Sequence, residues 1–141
     1  MADLLDKEHV DAGLELLRAD TDLVVYPDEE GNTPAPADRA DQYVRVYWTI
    51  ARPPDGTGNA LDSRSSTWVV RWYCHCVGPN EYSSGAVAMR VARALLDQSP
   101  PITGRSCGRI DQEAETPPTL DKSTSRPVFD TVLVYNLITT G

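Results

Sequence analysis

Residues 67–78 read TWVVRWYCHCVG, and at their centre a histidine stands between two cysteines: Trp72-Tyr73-Cys74-His75-Cys76. Cys-x-Cys beside a histidine is a source of metal ligands or of a redox thiol. The β-branched and aromatic residues around it are those of a buried strand. In a strand, successive side chains point to opposite faces, so Val70, Trp72, Cys74 and Cys76 share one face and Arg71, Tyr73 and His75 the other. Zinc needs about four ligands converging on a tetrahedron. Here the imidazole points away from both thiols, a third ligand from Cys107 requires an adjacent strand, and the only other histidine is His9. A Cys74–Cys76 disulfide would join Cα atoms about 6.6 Å apart with parallel Cβ vectors, at the edge of permitted geometry. A bridge from either to Cys107 stays open, although a reducing compartment disfavours it. The stretch therefore reads as a core strand whose thiols fill space as small hydrophobes.

Working outward, YVRVYWTI (43–50) alternates in the same way, with Val44, Val46, Trp48 and Ile50 on one face. The two runs predict an extended β-hairpin. Downstream, SGAVAMRVARALLDQ predicts a helix with an apolar stripe at Val87, Val91, Ala94 and Leu95, capped by Ser83 or Ser84 and ended by Pro100–Pro101. Upstream, LLDKEHVDAGLELLRA predicts a helix capped by Asp3, with Val10, Leu14 and Leu17 inward and Gly13 marking close packing. DLVVYP is a short strand, TGRSCGRIDQEAE a weaker one, and PVFDTVLVYNLIT a strong closing strand. Strands in runs predict an α+β fold in one domain over 1–141: a mostly antiparallel sheet of about five strands with two helices packed on one face. Three polar stretches, 27–41, 51–67 and 111–127, read as long loops.

Charge is uneven along the 141-residue chain. Twelve of its 21 Asp and Glu residues, but only three of its 13 Lys and Arg, lie in the first 42 positions. A net charge of −8 argues against tight binding of phosphate backbones. No run is long and apolar enough for a membrane helix. Acidic residues stand at the N-terminus where a signal peptide carries basic ones, so folding in a cytoplasm is expected. No phosphate-binding glycine loop opens a helix, and no G-x-S-x-G elbow is present. Asp111, Glu113 and Glu115 alternate along one strand edge and read as a solvated strand end rather than an acid–base pair. Nothing in these residues requires catalysis, and long loops on a compact core point to contact with partners.

The helix LLDKEHVDAGLELLRA, the hairpin strands YVRVYWTI and WVVRWYCHCVG, the helix AVAMRVARALLDQ directly after them and the closing strand VFDTVLVYNLIT follow one another in an order that resembles the tail terminator (tail completion) proteins of long-tailed bacteriophages. The resemblance spans nearly the whole chain and rests on element order and size. It implies a non-enzymatic virion protein with no cofactor, whose copies form a homo-oligomer, a hexameric ring. Such a ring caps the tail tube, ends its polymerisation and joins the tail to the head connector or head-closure protein, while DNA passes without specific binding. It implies no membrane contact and assembly in the host bacterial cytoplasm. The expected assembly-interface residues are Arg52, Asp55, Asp62 and Arg64 in the first long polar loop after the hairpin's opening strand, and Glu113, Glu115, Lys122 and Arg126 in the second. The rival readings are another phage neck or minor capsid component, and a small thiol- or zinc-centred enzyme using Cys74, Cys76 and Cys107.

Overall fold

The computed structural model describes residues 2–51, 67–123 and 126–141, with side chains from residue 5 onward. Its elements are α1 (Ala2–Arg18), β1 (Val25–Tyr26), β2 (Tyr43–Ala51), β3 (Thr67–Gly78), α2 (Glu81–Leu95), β4 (Ser106–Cys107), β5 (Asp111–Glu115), β6 (Thr119–Asp121) and β7 (Val128–Thr140). β3 is the WYCHC strand, and it lies between β2 and β7, antiparallel to both. β1 joins the far side of β2 as the one parallel neighbour. β4, β5 and β6 pair one after another along the far side of β7.

The α+β class and the hairpin are as the alternation predicts. Among the described residues the sheet has seven strands rather than about five. The difference lies in the weaker candidate at 103–115, which is split into β4 and β5, and in β6, since strands of two or three residues carry no periodicity to read. Within the polar stretch 111–127, β5 falls on the end of that weaker strand candidate, whereas β6 lies where only a loop is expected. Every residue of β5 is exposed, so it shows no inward hydrophobic face; backbone pairing to β7 holds it, together with side-chain bonds from Tyr135 to Gln112 and from Asn136 to Glu113. A bulge between Gln112 and Ala114 also breaks the expected alternation of Asp111, Glu113 and Glu115.

Both helices cover the face that carries the thiols. Val44, Val46, Val70, Trp72, Cys74, Cys76, Leu133, Tyr135 and Leu137 meet Leu14 and Leu17 of α1 and Val87, Val91 and Leu95 of α2. Burying a large apolar side chain is worth about 1.5–3 kcal/mol, so this layer outweighs any surface ion pair. Trp72, fully buried, donates its indole N–H to the Val10 carbonyl of α1 at 3.2 Å. Its ring lies where a side chain on Gly13 would be, with Cζ2 and Nε1 2.7 Å from the position of a Cβ. The expected close packing at Gly13 is thus a contact with Trp72.

α2 starts two residues before the expected caps. Asn80 is the cap, accepting the Ser83 N–H at 2.9 Å. Ser84 is instead buried and donates to the Cys76 carbonyl at 2.7 Å, tying α2 to β3. The turn between them is so tight that a Cβ on Gly78 would lie 2.5 Å from that of Ser83.

The fully buried His9 latches α1 to the end of β7. Its Nδ1–H donates to the Leu5 carbonyl at 2.7 Å, its Nε2 accepts the Thr139 hydroxyl at 2.7 Å, and its ring stacks on Trp68. Burial, aided by the nearby Arg105, holds the imidazole below its ordinary 6.5. The unfolded chain therefore takes up a proton on His9 near pH 6.5 that the folded chain refuses. This contribution is steady above pH 6.5 and erodes as pH falls below it, with a slope of at most about 1.4 kcal/mol per pH unit. Urea unfolding between pH 7.5 and 5 checks this: His9→Gln, which cannot charge, shows a shallower fall than the parent.

Candidate functional site

The cysteines do not assemble a centre. Cys74 and Cys76 are fully buried beneath the helices, and burial pushes both thiols up, Cys74 to about 12. At neutral pH they are protonated and shielded from solvent, which withholds the thiolate a nucleophile needs. Cys107 pairs opposite Thr139 while Cys74 pairs opposite Leu133. Six residues along β7 separate those levels by about 20 Å. His75 lies on the reverse face and binds Asp130 Oδ2 through Nδ1 at 2.7 Å. No group of three or more His, Cys, Asp or Glu that could hold a metal ion occurs among the described residues.

That reverse face carries a polar lattice over half-buried apolar residues. Arg45 lies over the Tyr47 ring at 4.3 Å, and Tyr47 meets His75 edge-on. Arg71 donates through Nε to both oxygens of Glu113, at 2.9 and 3.1 Å, and Asn136 donates to the same carboxylate at 2.6 Å. The β5 bulge is what delivers Glu113 to these partners. Val69, Tyr73, Val132 and Val134 are half-buried between these groups, and Ile138 is exposed. Both helices pack on the opposite face, so this one is an open sheet surface.

A second surface lies at the margin of the helical face. A groove of about 850 Å³ runs between α1, the 27–31 turn and the end of β2. Val10, Leu14, Trp48 and Ile50 form its floor. Trp48 sits on the inward face of its strand yet is 41% exposed, because α1 does not cover it. Asp6, Asp11, Glu15, Asp28, Glu29 and Glu30 line the groove, against Lys7 and Arg18. Arg18 fixes one wall by donating to the carbonyls of Pro27 (3.1 Å) and Asp28 (2.7 Å). The acidic excess of the N-terminal third is thereby concentrated around an apolar floor.

A third surface is the outer side of α2, where Tyr82 (91% exposed), Ala86 and Met89 (57%) follow at helical spacing. Periodicity hides this stripe, since it resembles ordinary variation on a solvated side.

Of the expected interface residues, Arg52, Asp55, Asp62 and Arg64 lie outside the described residues. Glu113 is engaged with Arg71 and Asn136, and Arg126 pairs with Asp41 at 3.1 Å. Lys122 is exposed. Glu115 pairs opposite Leu133 and borders a hollow beside Met89 of α2, so the bulge sends it away from Glu113. The Pro-rich 27–41 stretch is held to the body by Arg18 and by the Ala40 N–H, which donates to the Tyr26 hydroxyl at 3.2 Å.

Comparison with known proteins finds no matching family profile and no matching curated protein. Among solved structures, the virion of a native gene transfer agent particle contains a chain of similar fold. The TM-score is 0.64 at 17% identity, over 92% of this chain and 92% of that one. At that identity the likeness establishes the fold.

The burial of the thiols has a direct readout. A colorimetric thiol titration at pH 8 labels one cysteine, Cys107, within minutes in the native protein and three after denaturation. Rapid native labelling of Cys74 or Cys76 contradicts their placement.

Proposed function

We propose that this chain is a structural component of a phage-like virion, and within that class a tail terminator. Its copies close into a hexameric ring that caps the tail tube, ends polymerisation and joins the tail to the head connector, leaving a channel for DNA. The observation that carries this reading is the fold shared, end to end, with a chain from a gene transfer agent virion. The order of helix, hairpin, helix and closing strand supports the narrower assignment.

The physics of the surfaces agrees with an assembly protein. Cys74 and Cys76 are buried, and the open sheet face carries the His75–Asp130 and Arg71–Glu113–Asn136 pairings, while an acidic groove and an apolar helix side lie at the periphery. A ring of identical subunits needs two different patches that meet head to tail. The Tyr82–Ala86–Met89 stripe, with neighbouring Glu115, is proposed as one of them. Arg52, Asp55, Asp62, Arg64 and Lys122 are proposed as further contacts, with Glu113 and Arg126 positioned by their own intramolecular pairs. The net charge of −8 suits a conduit that lets DNA pass without gripping it.

Native mass spectrometry and electron microscopy of the purified protein, alone and with its tail tubes, test the assignment. A six-membered ring with a central opening at the tube end is expected. A chain that stays monomeric under both conditions, or that localises in the particle away from the neck, overturns it.

A further inference from the structure

The groove beside α1 coincides with an open strand edge. The Val44 N–H donates across that edge to the Val24 carbonyl at 2.9 Å. Peptide groups alternate in direction along a strand, so those of Val46, Trp48 and Ile50 face the same way. β1 covers the edge only as far as Arg45. The Arg45 guanidinium caps the next carbonyl, that of Val46, at 3.0 Å. Among the described residues no strand pairs with the edge at Trp48 or Ile50, the two residues that β2 contributes to the groove floor. A row of unpaired backbone groups is a template for another extended chain.

Charge selects the occupant. The rim carries six carboxylates against one lysine and one arginine. A second copy adding its opposite sheet edge at the same level would bring β5, whose sequence DQEAE holds three carboxylates, against that rim. Like charges oppose this pairing. A strand with Lys or Arg at alternate positions meets the opposite condition. Its alkyl stems cover Trp48 while the charged ends reach Glu15 and the 28–30 turn, Asp11 being already paired with Lys7, and Trp48 offers a face for a cation.

We propose that this groove binds an extended segment of another protein, basic at alternate positions, as a strand added to β2. The site belongs to a single subunit and stands whether or not copies close into a ring.

Isothermal titration with the synthetic peptide acetyl-(Lys-Val)5-amide, alongside its Glu-Val counterpart, tests it. The basic peptide binds with a dissociation constant of about 1–100 μM at low salt and weakens about tenfold or more at 0.5 M salt; the acidic one does not bind. Ile50→Pro removes an edge N–H without breaking the ladder to β3 and weakens binding about tenfold. Glu15→Lys, an exposed substitution that leaves the fold intact, does the same. The Trp48 amide and indole resonances shift on binding. No binding of the basic peptide near 1 mM overturns the proposal, as does equal binding of the acidic one or indifference to both substitutions. Tighter binding by a peptide of this chain's own residues 98–110, which carry Arg105 and Arg109 and no acid, makes the occupant a second copy and also overturns it.

Discussion

The contact between the Trp72 indole and Gly13 sets the distance between α1 and the sheet, and the remaining geometry depends on that distance. Trp72 stands at the middle of β3, flanked by Trp48 on β2 and Tyr135 on β7. Its N–H reaches the Val10 carbonyl one turn from Gly13, so the same ring both pins the helix and needs the missing side chain. With α1 at this height, His9 reaches Thr139, and the groove keeps Trp48 as an open floor rather than a buried one.

The central ladder buries most of the inward side chains of β2, β3 and β7 beneath the two helices, with Trp48 the exception. Among the described residues, Cys74 and Cys76 are shut in by burial, His75 is tied to Asp130 and Ser84 to the Cys76 carbonyl. What distinguishes this molecule lies at its borders. On one border β7 is edged by three short strands; on the other, β1 edges β2 over two residues only. Among the described residues, this unequal treatment leaves the edge of β2 at Trp48 and Ile50 without a pairing strand, beside the acidic groove.

The long elements were legible because their periodicity is sustained. β3 alternates from Thr67 to Cys76 and β7 from Asp130 to Thr140, and the stripes Val10-Leu14-Leu17 and Val87-Val91-Leu95 are buried as spacing predicts. The short elements were not, since a two-residue strand such as β4 is defined by its neighbour rather than by its own sequence. The cap of α2 lies upstream of both serines, because Ser84 is drawn into packing against β3 and the Ser83 hydroxyl donates to Asn80, the residue that caps instead. At the borders, alternation correctly put Trp48 on the inward face but could not tell that the helix stops short of it. The bulge that separates Glu113 from Glu115 likewise leaves no mark in a run of polar residues. The sequence named polar loops as the contact regions, whereas the described surfaces include an apolar helix side and a strand edge.

The most direct measurement is the stability of Gly13→Ala by urea unfolding, with the amide spectrum of α1 followed in parallel. Alanine is the better helix former by about 1 kcal/mol, so local propensity alone predicts a gain. The contact with Trp72 predicts the reverse: a net loss of about 1–3 kcal/mol, with shifts centred on the Trp72 indole and the Val10 turn. A variant as stable as the parent, or more so, with an unmoved indole would contradict the account.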